Sequence, residues 1–377
     1  MADSPAPEEQ ATGTGLLPSL NNLIAKRGFQ KWAARFPFTR RRVRREGEAL
    51  FDLLAGFCHS QVLLAVVKLD IPARLMRGPM DCGALSAVTD VPVARMEVLL
   101  RAATALGLVR RKRNKRYALT QRGAALVGAP GLQEMIRHHD VLYRDLADPV
   151  AFFRGETSPE LAGFWPYVFG GDVDPALART YSELMAQSQL LVADDTLDAV
   201  SLKGVRRLMD IGGGTGAFLA EVAKRYDTLE LTLFDLPPVV PEATERFAKN
   251  GLTARTKIEA GSFRTDSLPM GADTISLIRV LYDHADETVA RLLTKIFEAL
   301  PAGGRLIISE PMSGGETPTK AGDAYFALYT LAMGTGKTRS AAQIKALCLT
   351  AGFQSVDLVR TRRSFITSCV VAHKAQE

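Results

Sequence analysis

The segment Leu208-Met-Asp-Ile-Gly-Gly-Gly-Thr-Gly216 joins an acidic residue, Asp210, to glycines at 212, 214 and 216. Glycine lets backbone pass close to a ligand where a Cβ would collide, so this run predicts a bound small molecule. Asp235 follows Gly216 by 19 residues, in Phe234-Asp-Leu-Pro237. At that separation an acidic side chain can accept both hydroxyls of an adenosine ribose. Gly212, Gly214 and Ala217 also satisfy the loose dinucleotide pattern G-x-G-x-x-A, which keeps nicotinamide hydride chemistry open. Asp210 argues for a different ligand, because a carboxylate two residues before the first glycine repels a pyrophosphate and suits a cationic amino-acid group. S-adenosylmethionine carries a sulfonium, an ammonium and a ribose. Asp210 and Asp235 together therefore predict that cofactor.

Such a loop needs strand ends to hold it. From Leu202 onward short β-rich runs alternate with helical patterns: Arg207 to Ile211, Leu229 to Phe234, Thr256 to Ala260, Thr274 to Leu281, and Arg305 to Ser309. The alternation predicts parallel strands with crossover helices, a doubly wound Rossmann-like α/β domain over residues 196–377. The final runs, Ser355 to Arg360 and Ser364 to Ala372, are only three residues apart. That gap is too short for a crossover, so the last strand is expected to be antiparallel to its neighbour.

Upstream, residues 46–195 read as a mostly helical domain. Leu50, Leu53, Leu54, Phe57, Leu63, Leu64 and Val67 recur at helical spacing and predict a buried helix that stops near Pro72 and Gly78. Residues 82–111 read as two helices joined near Asp90-Val-Pro92, followed by a short hairpin around Asn114; together they predict a winged helix. Six of the seven residues from Arg110 to Arg116 are basic, which opens a DNA-binding alternative. Against it, the second helix, roughly Val93 to Leu106, offers only Arg95 and Arg101 to read base edges.

The 377 residues are 47% hydrophobic and 23% charged, which excludes a disordered or fibrous chain and allows two domains. Lys and Arg number 47 against 41 Asp and Glu, too mild a surplus to argue for nucleic acid. Cys58, Cys82, Cys348 and Cys369 lack C-x-x-C spacing, so no disulfide framework and no metal site are expected. No run approaches the ~20 apolar residues of a membrane span, and the opening is unlike a secretory signal. A cytoplasmic location is expected. Residues 1–45 read as a mobile tail ending in a basic aromatic arm, with Phe36, Phe38 and six arginines from Arg35 to Arg45. Such an arm suits a partner subunit or an anionic membrane surface.

The ordered set DIGGGTG, FDLP, AGSF, RVLYDHAD, GGRLIISEP and RSAAQIKALCLTAGF, within residues 46–377, resembles the small-molecule O-methyltransferases that join a winged-helix dimerisation domain to a class I methyltransferase domain. Within that family, EGEALFDLLAGFCHSQVLLAVV and AGDAYFALYTLAMGTG are similar to the bacterial carotenoid enzymes acting on the tertiary 1-hydroxyl of hydroxyneurosporene or demethylspheroidene. Enzymes that methylate C-20 of bacteriochlorophyll precursors are the nearest competitor. The resemblance implies a homodimer, S-adenosylmethionine as cofactor and a hydrophobic carotenoid alcohol as acceptor, with the arm able to hold the enzyme at the photosynthetic or inner membrane.

Carried over by position, the resemblance makes Gly212, Gly214 and Gly216 the cofactor loop and gives Asp235 the ribose. It places Ser262 and Phe263 on the adenine side, with Ser262 replacing a carboxylate, and Arg279 where many relatives have Lys. The family's catalytic Leu-His-Asp-Trp stands here as Leu281-Tyr282-Asp283-His284. Tyr282 thus occupies the position of the base and His284 that of the Trp. A phenol with a pKa near ~10 stays protonated at neutrality whereas an imidazole near ~6.5 is largely neutral, so His284 is the better proton acceptor. If the strand continued, both would face one side. Glu310 matches a glutamate that orients the catalytic His, while a second such position is Thr338. Tyr325, Phe326, Tyr329 and Met333, with Phe153, Phe164 and Trp165, are expected to line the acceptor pocket.

Overall fold

The computed structural model describes residues 16–164 and 175–376, which places Trp165 outside the described residues together with the side chain of Phe164. The chain opens with helices α1 (Leu16–Ala25), α2 (Arg27–Arg35) and α3 (Arg40–Lys68). The stretch expected to be a mobile arm is therefore helical from Leu16 onward. Leu64, Val66 and Val67 at the end of α3 are buried, but Leu50, Leu53, Leu54 and Phe57 are each 68–74% exposed. The predicted buried helix holds only for its last turns, because the earlier turns project beyond the domain they would have to pack on. By length and composition α3 is also long and apolar enough to cross a membrane, contrary to the expectation that no stretch is. Its apolar residues are divided between a protein core at one end and the exposed face at the other.

Helices α4 (Ile71–Met76), α5 (Cys82–Thr89) and α6 (Val93–Ala105) follow, then the hairpin of β1 (Val109–Arg111) and β2 (Tyr117–Leu119). The Asp81 carboxylate caps α5 by accepting from Ala84 N–H at 2.8 Å. Val66, Ile71, Leu85, Met96, Leu100 and Tyr117 form one core, giving the predicted winged-helix arrangement. Helices α7 (Gln121–Gly128), α8 (Leu132–Asp145), α9 (Pro149–Arg154) and α10 (Pro175–Ala199) lead to the second domain.

That domain is built on strands β3 (Arg207–Ile211), β4 (Glu230–Asp235), β5 (Thr256–Ala260), β6 (Thr274–Ile278), β7 (Arg305–Glu310), β8 (Ser355–Val359) and β9 (Ser368–His373). The order is β5-β4-β3-β6-β7-β9-β8. Strands β3 to β7 pair in parallel, and β9 runs antiparallel to both β7 and β8, as the short final gap requires. Side chains alternate across the pleat. Met209, Ile211, Ile275 and Leu277 pack on α13 (Asp286–Ala299) and α15 (Ala341–Thr350), while Leu208, Leu231 and Leu233 pack on α10, α11 (Ala217–Arg225) and α12 (Val240–Lys249). A π-helical segment, Lys320–Phe326, runs into α14 (Ala327–Ala332).

Strand β6 ends three residues before the expected Leu281, since Leu281–Asp283 forms a 3-10 turn. Tertiary hydrogen bonds hold that turn: Glu310 Oε2 accepts from Tyr282 N–H, and the Tyr282 carbonyl accepts from Lys337 N–H at 2.8 Å.

Candidate active site

The C-terminal ends of β3, β4, β5 and β6 surround a cavity of about 230 Å³, lined by Gly212, Gly213, Gly214, Asp235, Ser262 and Phe263 and also by Arg279, Tyr282 and His284. Open parallel sheets place ligand sites at this edge. The glycines are required there for separate reasons. Gly212, Gly214 and Gly216 all have positive φ. A Cβ on Gly216 would lie 2.6 Å from Phe247 Cζ, whereas one on Gly214 would meet nothing within 4 Å and would project into open space. Gly214 therefore leaves a bare stretch of backbone facing the cavity.

Asp235 ties this loop to β4. Its Oδ2 accepts from Gly214 N–H and its Oδ1 from Leu236 N–H, each at 2.7 Å. Burial raises its pKa, and these two N–H groups oppose the shift. Each oxygen keeps a lone pair for a further donor.

Asp210 is in a different place from the one the sequence suggests. It is fully buried, and it lies beneath the loop instead of lining the cavity. A Cβ added to Gly213 would come within 2.6 Å of its Oδ2. Ser276 Oγ donates to Oδ1 at 2.6 Å, and Oδ2 has no hydrogen-bond partner among the described residues. Desolvation pushes its pKa up to about 7 despite the Ser276 bond, with the Asp235 charge adding to the rise. The expected direct contact with a cationic amino-acid group is not what the structure displays: Asp210 supports the loop from beneath and does not line the cavity.

Both sequence candidates for the base line the cavity, but they face different neighbours. In a 3-10 turn residues i and i+2 point in different directions, so the alternation expected of a strand is lost. The Tyr282 hydroxyl accepts from Arg279 Nη2 at 3.3 Å. Burial holds its pKa well above the ordinary phenol value, so it stays protonated. The His284 ring packs edge-on against Phe263, with centroids 5.2 Å apart, and Nδ1 lies 3.3 Å from Arg264 Nη2. Burial, and then the charges of Arg264 and Arg339, lower its pKa to about 4, which leaves the imidazole neutral. Glu310 reaches neither side chain. It is fully buried, bonds the Tyr282 backbone, and has its pKa pushed up to about 8 by desolvation. Its expected role of orienting an imidazole is corrected to holding the turn.

Arg279 sits in the left-handed region at φ 60°, an uncommon conformation for a side-chain-bearing residue. Its N–H donates to the Ser309 carbonyl at 2.8 Å, and Nη1 donates to Ser188 Oγ on α10 at 2.7 Å. Ser262 is engaged within its own turn: its N–H donates to Asp266 Oδ2 and its hydroxyl accepts from Arg264 N–H. Sequence reasoning missed Arg264, Gln189 and Ser188. The first directly follows Phe263 and could have been flagged by adjacency, but only the folded α10 brings the other two to the site.

On the acceptor side, Tyr329 and Met333 are buried with Val141, Leu142, Phe152 and Leu161, so these two expectations land in one cluster between the domains. Tyr325 and Phe326 stack edge-on at 4.8 Å. Phe153 is 63% exposed and lies outside this cluster.

An O-methyltransferase domain profile matches residues 143–354, and an O-methyltransferase dimerisation domain profile matches residues 51–129. The demethylspheroidene O-methyltransferase of Cereibacter sphaeroides is 53% identical over 362 residues, covering 96% of each chain. That of Rhodobacter capsulatus is 53% identical over 342 residues, covering 90% of this chain and 85% of the relative. Among solved structures, the methyltransferase CalO1 of calicheamicin biosynthesis, in its SAH-bound form, is 25% identical with a TM-score of 0.72, covering 88% of this chain and 98% of that one. With a glycine cradle at the strand ends, a two-part architecture and matches that span both domains, the chain belongs to the O-methyltransferase family.

Proposed function

We propose that the protein transfers a methyl group from S-adenosylmethionine to the tertiary 1-hydroxyl of an acyclic hydroxylated carotenoid of the hydroxyneurosporene or demethylspheroidene type. One observation carries the acceptor: identity of 53% across 96% of both chains with a demethylspheroidene O-methyltransferase. The cofactor fits the residues present. Gly214 offers backbone with open space where a Cβ would stand, and the two Asp235 oxygens retain lone pairs for a ribose diol. Phe263 and His284 wall the side nearest β5, suited to an adenine.

Bound there, the cofactor supplies an electrophilic methyl on a positively charged sulfur. Tyr282 takes an N–H bond from Arg279 and keeps its own proton to hold the acceptor oxygen. Positioning alone supplies up to about 7–11 kcal/mol. Glu310 and Lys337 fix the turn that aims Tyr282. His284 shapes the cofactor side and is neutral.

The exposed row Leu50, Leu53, Leu54 and Phe57 overlaps the segment matched by the dimerisation profile, which supports a homodimer closing over α3. Trp32, 52% exposed, and Phe38, 88% exposed, lie beside the arginines of α2 and α3 and support attachment to an anionic membrane surface. Vesicle flotation with residues 1–45 deleted tests that attachment, and undiminished flotation refutes it. The central test is incubation with labelled S-adenosylmethionine and a panel of carotenoid alcohols and chlorin precursors. Label on the tertiary carotenoid alcohol is expected. Label on a chlorin alone overturns the acceptor.

A further inference from the structure

Methyl transfer to a neutral alcohol leaves a proton on the ether oxygen, and such an oxonium is a strong acid. The proton must leave as the C–O bond forms. The groups so far described do not receive it well: Tyr282 is protonated, Glu310 is fully buried behind the turn and does not line the cavity, and His284 is turned toward Phe263 and Arg264. A different pair stands where the helical domain meets the π-helical segment, beside Tyr329. His139 Nε2 on α8 lies 2.7 Å from the Tyr325 hydroxyl, a hydrogen bond joining the helical domain to the π-helical segment. The rings meet edge-on, with centroids 5.5 Å apart at 85°. A π turn is uncommon and frequently marks a functional position. Here it presents Tyr325 to His139 and to the Tyr329 ring, 6.2 Å away.

We propose that Tyr325 and His139 form the proton relay for the acceptor alcohol. In one step the alcohol oxygen bonds the methyl carbon, the carbon–sulfur bond breaks with its electron pair passing to sulfur, and the hydroxyl proton moves to the Tyr325 oxygen. The Tyr325 proton passes to His139 Nε2, and the imidazolium later returns it to water. The products are the ether and adenosylhomocysteine, and the count of atoms and charge closes. The relay rests on the methyl-transfer reading above.

Two further observations agree. Burial lowers the His139 pKa, so the ring is neutral and able to accept at neutral pH. The Arg279 charge acts on the phenols of Tyr282, Tyr325 and Tyr329 alike, so these groups share one electrostatic neighbourhood. The titratable or charged groups facing the pair are Arg279 from the sheet, His138 and Tyr143 from α8, and Tyr329 from α14.

The test uses the full chain, labelled S-adenosylmethionine and the alcohol the wild type methylates. Tyr325→Phe and His139→Ala are each expected to lower kcat by about 100-fold or more, with KM and adenosylhomocysteine affinity near wild type. The double variant should be no slower than the slower single variant, because the two act as a unit. Added imidazole should restore part of the His139→Ala rate. Retained kcat in Tyr325→Phe, or a loss confined to KM, overturns the relay. Tyr325→Phe keeps the ring and its packing, so it decides the matter even if His139→Ala fails to fold. A wild type that methylates no alcohol at all instead overturns the functional reading.

Discussion

The substitution Asp235→Asn isolates the contribution of one oxygen. In the wild type each carboxylate oxygen already accepts a backbone N–H at 2.7 Å, from Gly214 and from Leu236, and each retains a lone pair toward the cavity. An amide has one acceptor oxygen, so whichever way it turns, one N–H faces an NH2 group and one ribose hydroxyl loses its acceptor. A hydrogen bond to a charged group contributes about 1.5–3 kcal/mol, and every ~1.4 kcal/mol is tenfold in affinity. Adenosylhomocysteine binding should therefore weaken by roughly 10- to 150-fold. Removal of a buried charge offsets the orphaned N–H, so thermal stability should change far less than affinity. Calorimetric titration with adenosylhomocysteine and with its 2′,3′-dideoxy analogue separates the terms, since the wild type's preference for the intact ribose should shrink in the variant. Affinity within about threefold of wild type, with that preference intact, would refute the assignment of the ribose to Asp235.

Three other outcomes follow from the site and the fold. The folded-state pKa values of Asp210 and Glu310 rise to about 7 and about 8 from 3.8 and 4.5, so the native chain binds protons more tightly than the unfolded one. Stability should then fall as pH climbs from about 4 to about 8 and level off above, and Glu310→Gln should flatten that slope in melting curves. His284→Ala should weaken adenosylhomocysteine binding more than it slows saturated turnover, because the ring packs on Phe263; the reverse pattern in steady-state kinetics would restore His284 as the base. Leu53→Glu should shift sedimentation toward the monomer without lowering the melting temperature of the isolated chain, since the side chain is 74% exposed in one subunit.

The legible parts of this protein were those with a purely local cause. Glycines at 212, 214 and 216 announce a left-handed, ligand-facing bend because no other residue occupies such positions cheaply. The β-rich runs and the three-residue gap before the last strand fixed the sheet for similar reasons. What stayed hidden depends on distant partners. The run from Thr274 reads as strand through Leu281, and bonds from distant Glu310, Thr335, Lys337 and Arg339 hold Leu281–Asp283 instead in a 3-10 turn that parts Tyr282 from His284. Leu50 to Phe57 carries the same apolar spacing as Leu64 to Val67, and spacing does not distinguish an interior from a surface awaiting a partner. Asp210 was placed correctly at the strand end, but which side of the loop its carboxylate takes is set by Ser276 on a neighbouring strand.

The sheet order carries a consequence for biosynthesis. Strand β9 is inserted between β7 and β8, and β8 joins the sheet through β9 alone. As the ribosome releases the chain, β8 emerges with no edge to dock on, and β7 remains an open edge until Ser368–His373 of β9 clears the exit tunnel. A nascent chain stalled near residue 360 would hold most of its cofactor loop yet present an unpaired strand to its neighbours. Assembly of the sheet thus waits for β9, and termination ahead of Ser368 should yield aggregates in preference to a shortened, working catalyst.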